Sequence, residues 1–277
     1  MLPLNRVRIV SLALNLPGPA ALMRCRALGA TCVKVEPSTH SGDPMRAYSP
    51  VAYARMHAGI RTLICDLKTQ AGQVKLAKEL AKADILLTSF RPSALKRLGL
   101  DWPQLRTRYP KLSQVAIVGG EGAAAEVAGH DLTYLAQSGL VSGLELPTTL
   151  FADMAGSLLT VEAILGMALQ AKMAGKPSCI RVSLSNAAEY LALPRTWGLT
   201  QPDGAVGGAH AGYQVYKCKD GRAAVAALET HFAARLCTAA GLKELNVAVM
   251  RRWFRGQTRE SLDKLALAQD LPIHTMA

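Results

Sequence analysis

The sequence predicts an α/β layered fold built on a parallel sheet, followed by a second, smaller domain. Three observations predict it. Short β-branched runs alternate with helix-like runs through the first half of the chain. After Pro194 the texture changes to glycine and turn residues, "RTWGLTQPDGAVGGAHAG". Beyond that, "YQVYKCKDGRAAVAAL" reads as a β-hairpin with Asp220-Gly221 at its turn.

The elements follow in order. "RVRIVSLAL" is the first strand and stops at "PGPAA", where proline suits the first turn of a helix; residues 20–28 read as that helix and Gly29 ends it. "TCVKVEP" and "RTLICDL" are the second and third strands. Residues 70–82 form an amphipathic helix with lysines on its polar face. "DILLTSF" is the fourth strand, Asp101 is placed to cap the helix "WPQLRTRYP", and "LSQVAIV" is the fifth. Residues 154–174 are helical and apolar nearly all round, the pattern of a helix buried in a core or an oligomer interface, and Gly175 is its stop. "CIRVSLS" is the sixth strand. The smaller domain spans residues 195–255, and a last helix and an extended end follow over 256–277.

Composition narrows the function. No GxGxxG follows the first strand, so the dinucleotide fingerprint is absent. The six cysteines are scattered without a CxxC pair, which argues for reduced thiols in a cytoplasmic protein rather than a disulfide frame or zinc site. No run of eighteen uninterrupted apolar residues calls for a membrane span. The net charge of +12 suits a polyanionic partner or a phosphorylated small molecule, although a solvated basic surface explains much of it. With aromatic residues at 5%, a stacking platform for single-stranded nucleic acid is poorly supported.

Three places carry candidate chemistry: Gly129-His130-Asp131, Asp153 ahead of the long apolar helix, and Glu229 at the end of the hairpin. Histidine and carboxylates are the common proton-transfer side chains. Each also has a plainer use. Asp131 and Asp153 sit where helices start and suit N-caps, Glu229 suits a first turn, and His130 suits a packed position. Spacing alone does not bring them together.

The stretches "LNLPGPAALMRCRALGATCVKVEP", "SGDPMR", "DLK", "SFRPSALKRLGL", "GHDLTYLAQSG", "ADMAG", "YQVYKCKDGR" and "AALETHF" together resemble the family III CoA-transferase (CaiB/BaiF) superfamily, closest in motif to its α-methylacyl-CoA racemases. The resemblance implies a Rossmann-like, CoA-binding large domain over 1–194, a small domain over 195–255, and a tail over 256–277 returning to the large domain. It implies an interlocked homodimer acting on acyl-CoA thioesters, with CoA as part of the substrate and no prosthetic group or metal. It places a catalytic pair at His130 and Asp153, and supporting carboxylates at Asp131 and, from the partner chain, Glu229. It places CoA contacts at Asp66, Leu67 and Lys68, at Arg91 and Arg97, and along Gly129 to Tyr134.

The sequence also departs from that pattern. Pro37 stands where the family usually has a CoA-binding arginine, the loops around His130 are short, and of the basic residues before "DLK" only Arg61 remains. Two rival readings follow. In a CoA transferase the residue at Asp153 is a nucleophile that forms acyl anhydride and thioester intermediates. In the other, the chain is an idle basic binding protein.

Overall fold

The computed structural model describes residues 2–37 and 42–277. Ser41, which opens the "SGDPMR" stretch, lies outside the described residues. The chain divides into two compact units, Met1–Ala192 and Leu193–Ala277.

In the first unit, β1 (Arg8–Ser11), β2 (Thr31–Glu36), β3 (Arg61–Ile64), β4 (Ile85–Thr88), β5 (Ser113–Val118) and β6 (Cys179–Ser183) form one sheet in the order β3-β2-β1-β4-β5-β6. Every neighbouring pair is parallel. The connecting helices are α1 (Pro17–Ala27), α2 (Met45–Tyr48), α3 (Pro50–Met56), α4 (Gln70–Leu80), α5 (Pro92–Arg97), α6 (Trp102–Arg108), α7 (Asp131–Gln137), α8 (Phe151–Ala174) and α9 (Leu184–Leu191). Successive strand residues point to opposite faces, so each face has its own core. Ile9, Leu87 and Val115 pack on one side with Leu22 and Ile164; Val10, Val33 and Leu86 pack on the other with Leu76 and Leu105. The strand order reverses between β1 and β4. In such a sheet the chain leaves these two strands toward opposite faces, which opens a crevice outside their carboxyl ends.

Local chemistry sets how that crevice is entered. α1 begins at Pro17, earlier than residue 20, because Pro17 and Pro19 lack only N–H groups that a first helical turn leaves unpaired. A Cβ on Gly18 would lie 2.2 Å from Ala13 Cβ, so glycine allows the chain after β1 to fold back closely on itself. Asp101 precedes α6 but makes no capping hydrogen bond; its Oδ1 is buried without a partner among the described residues.

α8 has 24 residues and is long and apolar enough, by those measures alone, to cross a membrane. Its face of Gly156, Thr160, Val161, Ile164 and Met167 is buried on the sheet and against α1 and α9. Met154, Leu158, Leu169 and Met173 on its other side are exposed. The expectation of burial all round thus holds for one face within a single chain. Gly175 ends the helix at φ 63°, as its position suggests.

The second unit contains α10 (Leu193–Thr196), the hairpin β7 (Tyr213–Cys218) and β8 (Gly221–Ala226), then α11 (Thr230–Ala240), α12 (Val247–Arg255), α13 (Arg259–Gln269) and β9 (Ile273–Met276). The hairpin pairs Cys218 with Gly221, so its two turn residues are Lys219 and Asp220, one position earlier than expected. The tail over 256–277, expected to return to the large domain, clusters with the second unit. β9 pairs antiparallel with β8, and Asp220 Oδ1 accepts the Arg259 N–H at 2.8 Å, tying α13 to the hairpin turn. An edge strand left with open backbone groups is thereby covered.

Candidate active site

A cleft of about 250 Å³ lies at the carboxyl ends of β1, β4 and β5, where the strand order reverses. Leu14 and Asn15 follow β1, Ser89 and Arg91 follow β4, and Gly119 follows β5 on its wall. His130 just ahead of α7, Tyr134 within it and Asp153 in α8 complete it.

α7 and α8 meet through one hydrogen bond. Asp131 is 4% exposed, and its Oδ1 accepts the backbone N–H of Asp153 at 2.9 Å. That N–H belongs to the first turn of α8 and has no partner within the helix, so the carboxylate satisfies it and fixes the helix start. Asp131 is therefore not an N-cap of its own helix, where His130 holds that position, and Asp153 is the third residue of α8 rather than its cap. The bond brings His130 and Asp153 to one cleft. The backbone N–H of His130 donates to Thr133 Oγ1 at 3.0 Å, which sets the turn that presents the histidine.

The same arrangement perturbs Asp153. Burial, then the nearby charge of Asp131, push its carboxyl from 3.8 up to about 6. A helix N-terminus alone would act the other way, so desolvation and like charge win. A carboxyl poised near 6 can both give and take a proton near neutral pH. Tyr134 is buried beside it, and its hydroxyl is pushed up by burial and then by the Asp153 charge. A Cβ on Gly119 or Gly129 would lie 2.6 Å from a Tyr134 side-chain atom, so both glycines make room for that ring. Gly119 was not singled out from the sequence.

The other expected residues distribute unequally. Arg91 lines the cleft mouth. Arg97 is exposed at the far end of α5. Glu126 accepts the hydroxyl and backbone N–H of Ser93 at 2.8 and 2.7 Å; these bonds, then the Arg91 and Arg97 charges, hold its carboxyl below the usual range. Glu126 thus counters part of the positive charge at this rim, which the sequence reading did not foresee. Asp66, Leu67 and Lys68 do not line the cleft. They form the turn after β3, two strands away from β1, where Asp66 Oδ1 accepts the Lys68 N–H at 2.9 Å and Leu67 packs against the Leu76 and Leu105 core. Glu229 is the N-cap residue of α11 in the second unit and makes no side-chain capping bond.

Behind the cleft lies a buried charged network that sequence reasoning recorded only as the "KVE" and "SGDPMR" stretches. Lys34 is fully buried and donates to Asp43 Oδ2 at 2.5 Å and to the Ala13 carbonyl at 2.8 Å. Glu36 accepts from Arg46 at 3.0 Å and from the Tyr53 hydroxyl. Glu36, Asp43 and His57 stand close enough together to hold a metal ion, but Lys34 and Arg46 already neutralise both carboxylates.

A model of CoA-transferase family III matches residues 4–276 of the chain. The chain belongs to CoA-transferase family III. Within this family it is 31% identical to α-methylacyl-CoA racemase of Mus musculus over 258 residues, covering 87% of this chain and 65% of that one. It is 30% identical to cinnamoyl-CoA:phenyllactate CoA-transferase of Clostridium sporogenes over 205 residues, 66% of this chain and 49% of that one. The chain thus spans between half and two thirds of these relatives' length. A crystal structure of Rv3272 from Mycobacterium tuberculosis covers the whole chain, and 84% of itself, at a TM-score of 0.84 and 22% identity, which is a likeness of fold.

Proposed function

We propose that this family III chain transfers the α-proton of a 2-methylacyl-CoA thioester, with His130 and Asp153 as the acid–base pair. The observation that carries the reading is the Asp131–Asp153 contact, which sets His130 and a carboxyl pushed up to about 6 on one cleft. The C–H electron pair moves into the Cα–C bond as one group takes the proton, and the carbonyl π pair moves onto oxygen to give an enolate. The opposite group returns a proton to the other face, which inverts the centre. The two residues exchange roles with substrate hand. Asp131 positions Asp153 and, by its charge, keeps that carboxyl basic enough to accept the proton. Glu229, supplied by the partner chain of a homodimer, orients His130. Arg91, Arg97 and Lys68 meet the CoA phosphates. An extended CoA is long enough to run from the cleft toward β3, since neighbouring strands lie only about 4.8 Å apart.

A second reading has a specific ground. The cinnamoyl-CoA:phenyllactate transferase is as similar as the racemase, and an aspartate is also a competent nucleophile for CoA transfer. α-Proton exchange into D₂O, followed by NMR with each enantiomer of a 2-methylacyl-CoA, separates the two when run beside a CoA-transfer assay. His130→Ala and Asp153→Asn should each abolish racemisation and keep residual exchange of one enantiomer, opposite in the two variants. Exchange of both enantiomers by His130→Ala at the wild-type rate would remove His130 as a base. Transfer that survives His130→Ala but not Asp153→Asn would establish the second reading instead.

A further inference from the structure

We propose that the Asn15 carboxamide donates the hydrogen bond that holds the thioester oxygen in this cleft. The proposal rests on the proton-transfer reading above, because removing an α-proton places negative charge on that oxygen. A donor aimed at it before the reaction stabilises that charge without reorganising.

Asn15 is on the cleft wall with His130 and Asp153, and among the described residues it is the one carboxamide there. It is half-buried, and its side chain has no hydrogen-bond partner among the described residues. The other polar groups on the wall are placed differently. Ser89 Oγ accepts the Leu14 N–H at 3.1 Å, and Tyr134 is packed against Gly119 and Gly129 beside the Asp153 charge. His130 and Asp153 carry the proton, and Arg91 stands at the rim.

The backbone beneath Asn15 is held with unusual rigour. Its φ is 64°, in the left-handed region that residues other than glycine rarely adopt. Its N–H donates to Asp43 Oδ1 at 3.0 Å. The Ala13 carbonyl accepts from Lys34 Nζ at 2.8 Å, and the Leu14 N–H is held by Ser89. Lys34 and Asp43 are both fully buried and paired with each other. The buried ion pair therefore grips the loop from behind on both sides of Leu14 and turns residue 15 toward the cleft. A site needs such support to keep a donor within a fraction of an ångström of its target. In deprotonation Asn15 neither gains nor loses a bond of its own; its Nδ2–H bond to the oxygen strengthens as the carbonyl π pair moves there, and relaxes when the proton returns.

Asparagine also tolerates left-handed backbone, so a conformational role must be separated from a contact with substrate. Asn15→Gly does this, because glycine keeps the backbone and removes only the carboxamide. Two readouts are used: α-proton exchange, and the ¹³C resonance of [1-¹³C]2-methylpropanoyl-CoA bound to the full chain, which moves downfield when its carbonyl accepts a hydrogen bond. The expected result is a melting temperature within a few degrees of wild type, a kcat for exchange lower by about 10²–10³-fold with KM little changed, and a bound ¹³C resonance upfield of wild type. Wild-type exchange, or an unshifted resonance whatever the rate, would overturn the proposal. If the wild type binds the thioester without exchanging its proton, the proton-transfer reading fails by itself. The ¹³C difference between wild type and variant then still decides Asn15. Absence of thioester binding by the wild type would overturn both.

Discussion

Replacing Asp153 by asparagine should stabilise the fold while ending its chemistry, and the gain should depend on pH. Burial and the Asp131 charge move the Asp153 carboxyl from 3.8 to about 6. The folded state therefore binds this proton more tightly than the unfolded state does. No cost is present below the unfolded value, the cost builds between about pH 4 and 6, and it is complete above that. At about 1.4 kcal/mol per pH unit it reaches about 3 kcal/mol. An asparagine side chain there would carry no charge to desolvate or to face Asp131, and the backbone N–H at this position would still donate to Asp131 Oδ1, as it does now at 2.9 Å. Asp153→Asn should thus add about 3 kcal/mol at pH 8 and almost nothing at pH 4. For a unit of this size that is a rise of about 6–12 °C in its unfolding midpoint at pH 8. The assay is thermal unfolding followed by circular dichroism at both pH values, wild type beside variant. An equal gain at pH 4 and pH 8 would show that the effect comes from packing, and no gain at pH 8 would refute the strained carboxyl.

Three further outcomes follow from other contacts. The exchange rate of the enantiomer for which Asp153 is the base should rise with pH through about 6, and the rate for the hand it serves as acid should fall there; parallel profiles would remove Asp153 from proton transfer. Gly119→Ala should cost about 1–3 kcal/mol by overpacking Tyr134, and Tyr134→Phe should recover most of it, because the Tyr134 hydroxyl is the atom 2.6 Å from the new Cβ and the next lies at 3.4 Å. Gly129→Ala should not be rescued, since ring carbon Cε1 is itself 2.6 Å away; denaturant unfolding of the single variants, and of each glycine variant combined with Tyr134→Phe, tests both statements. Lys34→Ala should lose about 3–5 kcal/mol by taking from buried Asp43 the cation it pairs with, and urea titration should find it far less stable than Lys68→Ala on the exposed turn.

Much of the fold was legible in the sequence, and the reason is local. Alternating β-branched strands and amphipathic helices state their own period, so six parallel strands and the hairpin are readable from short windows. Prolines at the start of α1, and Gly175 at the end of α8, act on backbone angles within a few residues. His130 and Asp153 were nameable only through a resemblance in short motifs, since each residue alone fits a structural role equally well. What tertiary structure decided is everything that depends on distant chain segments sharing one dielectric and one hydrogen bond. The β1–β4 reversal chose where the cleft opens. One Asp131 oxygen, 22 residues from the N–H it accepts, both joined the two helix starts and raised the Asp153 pKa. The tail's choice of β8 as partner, the distance of Asp66 to Lys68 from the cleft, and the Lys34–Asp43 pair under Asn15 belong to the same class. A sequence window carries propensity and period, but burial and charge interaction are properties of the neighbours that folding brings together.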